Sequence, residues 1–222
     1  MGDALGGSIG YALGIAISPI PIAALILTML SVRPRTNCIS FTIGWVAGIA
    51  TVAAVAAATP LFDAGDEPSD RRGWIRLSIG VLLIAAAVWR WSTRPDAEDE
   101  PTTPPLLRAI DGAGPTGVLG IGFVLAALNP KDMLLAAAGG VEVATADLSG
   151  AGTVTAVAVF VAIAASTAIV PVGAYLALGD RLDVHLRRWR SWLIRHNPVV
   201  MAIVLVGVGV LFIAEGLHIV RS

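Results

Sequence analysis

The sequence predicts an all-α integral membrane protein of six transmembrane helices, arranged as a 3+3 inverted-topology repeat with proline-broken first and fourth helices. Three observations carry this reading. Hydrophobic residues make up 56% of the 222 residues and charged residues 14%, and the mean hydropathy is +0.80, values for a chain whose solvent is mostly lipid. Six apolar runs have the length of a span and none alternates with period two, so helices rather than barrel strands satisfy their backbone groups in hydrocarbon. A shift of 111, half of the 222 residues, carries Asn129-Pro130 onto Ser18-Pro19 and Pro171 onto Pro60, which places helix-breaking prolines at equivalent depths in two halves.

The spans fall in order along the chain at residues 4–31, 38–62, 74–92, 115–142, 151–178 and 198–219. The first is interrupted by Ser18-Pro19-Ile20-Pro21 and carries Gly6, Gly10 and Gly14 every four residues; the second carries Gly44 and Gly48 at the same spacing. Such spacing lets helix backbones approach one another. The fourth is interrupted at Asn129-Pro130 and carries Gly139-Gly140, a packing or hinge element. The whole chain reads as a single membrane domain, with residues 1–92 as the first three-helix repeat, 93–114 as a linker and 115–222 as the second repeat. The linker is rich in proline and acid and cannot bury apolar area, so a flexible cytoplasmic connection is expected. Met1-Gly2-Asp3-Ala4 lacks the basic region of a signal peptide and the apolar run behind it is too long for one, so the first span is expected to remain in the mature protein.

Lys and Arg gather on the cytoplasmic side of a membrane. The loops after odd-numbered spans hold Arg33, Arg35, Arg90, Arg94, Arg108, Arg181, Arg187, Arg188, Arg190 and Arg195, against Arg71, Arg72, Arg76 and Arg221 on the other side. A multi-pass inner-membrane protein with both termini outside is therefore expected. Three spans per half make the second half enter from the opposite face. The first and fourth spans then run antiparallel, each broken near the midplane, as in transporters built from inverted repeats. One departure from strict register is that residues 74–92 shifted by 111 fall on 185–203, short of the sixth span. The net charge of −1 averages a basic inner side against acids such as Asp63, Asp66, Glu67, Asp70, Glu142 and Asp147 outside, and nothing points to nucleic acid.

Lys131, the only lysine, stands with Asp132 inside the fourth span. Charges at that depth are costly and mark function by default. Pro19 and Pro21 remove two backbone donors and push the preceding residues out of helical geometry, so carbonyls near Ile15 to Ile17 lose their partners; Pro130 acts likewise beside Asn129, whose amide both donates and accepts. On a regular helix Lys131 and Asp132 point about 100° apart and pair poorly, whereas an unwound segment brings them closer. The candidate substrate-binding or coupling residues are Ser18, Pro19, Pro21, Asn129, Pro130, Lys131 and Asp132. A competing role for the same charges is internal, with loosened carbonyls and hydroxyls such as Ser18 and Thr28 satisfying them and holding the bundle together.

In the fifth loop Leu182, Leu186, Trp189 and Leu193 recur at helical spacing while Arg187, Arg188, Arg190 and Arg195 take other faces. That pattern predicts a basic amphipathic helix on the inner membrane surface, with these four arginines contacting anionic lipid headgroups. His185, His196 and His218 lie at span ends and make a poor metal cage; Cys38 is the single cysteine, which excludes an internal disulfide and a two-thiol relay. Phosphate-binding, zinc and nucleophile-elbow motifs are absent from the sequence. No cofactor, no metal and no enzymatic reaction are expected.

Ser18-Pro19-Ile20-Pro21 paired with Asn129-Pro130-Lys131 in a six-span chain resembles the lysine-exporter superfamily. Length, the Ser-Pro-x-Pro form, the Asn-Pro-Lys-Asp run and the acidic linker resemble in particular its GAP family of actinobacteria, which includes glycopeptidolipid- and sulfolipid-addressing proteins. The resemblance covers essentially the whole chain, and its pattern falls on Pro19, Pro21, Asn129, Pro130, Lys131 and Asp132. It implies movement of cell-envelope glycolipids across the inner membrane. Amino-acid exporters of the superfamily have Pro-Gly-Pro in the first helix where this chain has Pro19-Ile20-Pro21, which weighs against a small amino-acid substrate. The expected function is export or flipping of a glycolipid or other anionic amphiphile by alternating access. Proton coupling through Asp132 is one option. Two other readings stay open: export of a small amino acid or metabolite, and a non-transporting accessory subunit. Expected partners are membrane lipids and the amphiphilic substrate, with a homo-oligomer or larger envelope export machinery as further options.

Overall fold

The structure is a computed structural model that describes residues 2–58, 69–92, 109–110, 112–146, 148–182, 185–186, 188–189, 192, 199, 202–203, 205–207, 209–210, 212–214 and 216–217. Regular structure among these is entirely helical: α1 Gly2–Ala16, α2 Pro19–Met29, α3 Pro34–Ala58, α4 Ser69–Ser92, α5 Pro115–Ala127, α6 Pro130–Ala144, α7 Gly150–Ala164, α8 Ser166–Leu178 and a closing 3-10 turn, Gly179–Leu182. Gly179 ends α8 with φ of 57°, a left-handed conformation that suits glycine.

Three expected spans are each split into two helices at a short break. Residues 7–16 of α1 and α2 meet at 49°, α5 and α6 at 68°, and α7 and α8 at 63°. The first two breaks fall where the proline pairs place them, because Pro19 and Pro130 each occupy the first position of the following helix, where a missing N–H is tolerated. The third break lies at Ala165 rather than at Pro171, which sits inside α8. A proline ring displaces the carbonyl four residues earlier, here that of Thr167, so the bend appears upstream of Pro171. Among the described residues α3 alone is long and apolar enough to cross a membrane unbroken, and each bent pair qualifies as one broken span, giving up to four; Gly80–Trp89 and Leu205–Ala214 are shorter apolar helices.

The chain forms two compact units. The first comprises Met1–Asp63 and Thr102–Ile194. At its centre α3 packs against α5 and α6, and α1 packs against α6 and α7. A Cβ on Gly44 would strike the Leu119 carbonyl, and one on Gly48 the Ala126 side chain, so both glycines serve close approach as their spacing predicts. Gly140 faces the Ala53 carbonyl and Gly139 the Phe160 ring, which makes that pair a packing element within continuous α6. On α1 the close approach falls on Gly7, beneath the Glu142 side chain, while Gly10 faces open space.

The second unit comprises Ala64–Pro101 and Arg195–Ser222. In it α4 crosses the C-terminal helical segment backbone to backbone, since a Cβ on Gly80 would strike the Gly209 carbonyl and one on Gly209 the side chain of Ile84. Leu82, Val88 and Trp89 on α4 and Ile203 on its partner are each more than 60% exposed. In the first unit Val154 and Val170 are exposed to a similar extent. Exteriors of this kind suit hydrocarbon rather than water, and together with α3 they mark a membrane protein.

Candidate functional site

The breaks of the first and fourth spans meet. Ser18 is the N-cap of α2, in extended conformation, yet its side chain does not cap its own helix. The Ser18 hydroxyl instead donates to Asp132 Oδ2 at 3.0 Å. Asn129, the N-cap of α6, accepts from the Lys131 backbone N–H through Oδ1 at 3.3 Å and donates from Nδ2 to the same Asp132 Oδ2 at 2.9 Å. The second carboxylate oxygen, Oδ1, has no hydrogen bond and rests on the Lys131 ammonium at 3.1 Å. Lys131 Nζ also donates to the Gly14 carbonyl at 2.7 Å. Asp132 is fully buried and Lys131 is 5% exposed.

The helix breaks explain this network. In an unbroken helix the Gly14 carbonyl would accept from the backbone of residue 18; the break after Ile17 frees it, and Lys131 takes the place of the lost donor. The carbonyl end of α1 carries partial negative charge and attracts the ammonium, while the amide ends of α2 and α6 carry partial positive charge and suit the carboxylate. Adjacent residues thus pair because they occupy the first turn of α6 beside an unwound segment. Pro19 and Pro21 are buried beside the site, whereas Pro130 is exposed. Thr28 takes no part: its hydroxyl donates to Leu25 O at 2.6 Å within its own helix.

A third break joins the other two. Thr167, in the first turn of α8, donates to the Ala16 carbonyl at 2.8 Å, a second acceptor freed by the break in the first span. Beside it lies a cleft of about 210 Å³, including its open mouth, lined by Ser18, Pro21, Phe41, Trp45 and Thr167 together with apolar side chains of α1, α2 and α8. Phe41 and Trp45 stack with ring centroids 6.4 Å apart and planes 8° from parallel. Its enclosed space is only about 10 Å³, room for about one water molecule, so the site is closed in this conformation.

The sequence profile of the family described as Sap, sulfolipid-1-addressing protein, matches residues 9–218. The chain belongs to that family. No curated protein and no solved structure matches it. The Sap family is one of lipid addressing and not a known enzyme family, and among the described residues no cluster of His, Cys, Asp or Glu has the make-up of a metal site.

Within this Sap-family chain the structure brings Ser18, Asn129, Lys131 and Asp132 into one hydrogen-bonded network. Two participants escaped sequence reasoning, the Gly14 carbonyl and Thr167. Two freed carbonyls of the first span needed outside donors, and the Ser166-Thr167 pair upstream of Pro171 was the available signal for one. Of the four arginines expected at lipid headgroups, Arg187, Arg190 and Arg195 lie outside the described residues. Arg188 is exposed on a helical segment where Leu186 is buried and Trp189 is 59% exposed. Cys38 is buried, with its thiol directed at the Arg35 carbonyl.

Proposed function

We propose that this chain is a multi-pass inner-membrane transporter that exports or flips an anionic cell-envelope glycolipid by alternating access around the paired breaks of its first and fourth spans. The observation that carries the proposal is the buried ion pair: a desolvated Lys131–Asp132 couple is retained where it cross-links two unwound segments, and intramembrane charges of this kind line substrate and ion pathways. The family description, a sulfolipid-1-addressing protein, fits an anionic lipid substrate. The resemblance to the lysine-exporter superfamily fits transport.

A sulfate or phosphate group competes with Asp132 for the Lys131 ammonium. Its arrival weakens the contact between α1 and α6, and opening of the closed cleft follows. Asp132, released from Lys131, still holds the Ser18 hydroxyl and the Asn129 amide, so the carboxylate keeps partners throughout. Both termini lie outside, and Arg187, Arg188, Arg190 and Arg195 contact anionic headgroups on the inner surface.

Six spans in a 3+3 inverted repeat fit the register of the helices once one insertion is allowed. The first breaks correspond at a shift of 111, and the crossing glycines Gly80 and Gly209 differ by 209 − 80 = 129, which is 18 more. Residues 180–197, the basic segment after α8, supply that difference.

The test compares surface-exposed lipids in a deletion strain, a complemented strain and a strain complemented with Lys131→Met. An anionic glycolipid is expected to be lost from the surface on deletion, restored by the wild type and not by the variant. Unchanged envelope lipids with accumulation of a small solute would move the function to metabolite export.

A further inference from the structure

The Lys131 ammonium lies in a cradle of oxygens. Among the described residues its contacts are the Gly14 carbonyl, which accepts from it at 2.7 Å, and Asp132 Oδ1 at 3.1 Å. Both oxygens are set aside for a cation. Asp132 Oδ1 is buried and has no hydrogen bond, because Ser18 and Asn129 both donate to Oδ2. The Gly14 carbonyl lost its helical donor at the break after Ile17 and stands at the negative end of α1. A carbonyl end of a half-helix beside a carboxylate is the kind of ligand set that holds free cations in transporters with broken helices. Here the occupant is the chain's own lysine.

The geometry selects the kind of cation. Both separations are those of N–H···O hydrogen bonds, so a primary ammonium satisfies the two oxygens, and a quaternary ammonium has no N–H to offer. Free amines and lipids with ethanolamine headgroups carry the same group as Lys131. The tether decides between them. Lys131 adjoins Asp132 in the first turn of α6, so its entry into the cradle is intramolecular, and a dissolved amine competes against a high effective concentration.

We propose that the cradle of the Gly14 carbonyl and Asp132 is a primary-ammonium site filled from within by Lys131, which makes Lys131 a specificity-determining residue that excludes amine-bearing lipids and solutes. The proposal rests on the export reading above for the transported class, in which anionic headgroups meet the lysine and amine headgroups find its cradle taken. Removing the ammonium opens the cradle to free amines.

The test follows thermal unfolding of the purified full-length chain in a nonionic detergent by tryptophan fluorescence, with choline chloride, a quaternary ammonium salt, as the reference at equal concentration. Propylammonium matches the part of the side chain that Lys131→Ala removes. It is expected to raise the Lys131→Ala midpoint by about 3–6 °C at about tenfold above its dissociation constant and to leave wild type unmoved. Lys131→Met keeps the stem, so the ammonium ion is expected to raise its midpoint and propylammonium is not; this variant carries the cation test if Lys131→Ala does not fold. Lys131→Met, Asp132→Leu is expected to respond to neither. In lipid binding, Lys131→Ala is expected to prefer phosphatidylethanolamine over phosphatidylcholine by about tenfold, the worth of one charged hydrogen bond, where wild type has no preference.

No response of Lys131→Ala to propylammonium together with none of Lys131→Met to the ammonium ion overturns the cradle. A wild-type chain that responds to these cations as the variants do, or that prefers phosphatidylethanolamine, overturns the exclusion. Failure of the export reading shows elsewhere. Amine binding by the variants without lipid translocation by wild type sinks export and leaves the cradle, whereas translocation without any cation response in the variants does the reverse.

Discussion

Replacing Lys131 with methionine keeps most of the side-chain volume and removes the ammonium that faces Asp132 Oδ1 at 3.1 Å and the Gly14 carbonyl at 2.7 Å. The carboxylate, fully buried, keeps its hydrogen bonds from Ser18 and Asn129 but loses its counter-charge, and the Gly14 carbonyl loses its donor. Breaking a buried pair by removing one partner costs about 3–5 kcal/mol. In a chain of this size about 1 kcal/mol corresponds to ~2–4 °C, so Lys131→Met is expected to lower the unfolding midpoint in detergent by roughly 6–20 °C. The double variant Lys131→Met, Asp132→Leu removes both charges and is expected to recover most of that loss, since apolar replacement of a buried pair is often neutral. Thermal unfolding followed by tryptophan fluorescence gives all members of the double-mutant cycle. A single variant within about 2 °C of wild type would refute the desolvated ion pair, because a solvated pair is worth only ~0–1 kcal/mol.

Three further outcomes follow from particular contacts. Ser18→Ala removes a donor to the buried carboxylate and is expected to destabilise by about 1.5–3 kcal/mol in the same assay. Gly44→Ala places a Cβ against the Leu119 carbonyl and is expected to lower expression and stability, whereas Gly10→Ala meets open space and is expected to be neutral or to stabilise by up to ~1 kcal/mol through helix propensity. Pro171→Ala returns a backbone donor to α8 and is expected to relax the 63° bend at Ala165. Spin labels at Val154 and Leu178, in a Cys38→Ser background, would then move apart by up to about 5 Å, from the 1.5 Å rise per residue of two straightened helices.

Much of the site was legible because its signals are local. Pro19 and Pro130 announce breaks by their own chemistry, and the single Lys-Asp pair in an apolar span announces a cost that something must offset. Ser18 was legible as the repeat counterpart of Asn129. What the sequence hid was tertiary. Loosened carbonyls were expected near Ile15 to Ile17, and that of Ala16 is one of them, whereas the Gly14 carbonyl lies just upstream; which donors reach them depends on how α6 and α8 approach α1. Pro171 was visible, but its effect falls upstream, so the third break and Thr167 were missed. Thr28 looked available, but a helical threonine readily donates to the carbonyl of its own preceding turn. The glycine pattern on α1 misplaced one position for a related reason: spacing identifies a narrow face, but only the partner decides which glycine lies beneath it, and Gly10 meets open space while Gly7 lies under Glu142.

Lipid export through the Lys131–Asp132 site is read out most directly as translocation in proteoliposomes. Purified chain reconstituted with a fluorescent sulfated glycolipid in the inner leaflet is expected to deliver it to the outer leaflet faster than protein-free vesicles, and Lys131→Met, stabilised by Asp132→Leu, is expected to remain folded yet lose that rate. Wild-type translocation no faster than in protein-free vesicles, or full translocation by the double variant, would rule out export through this site.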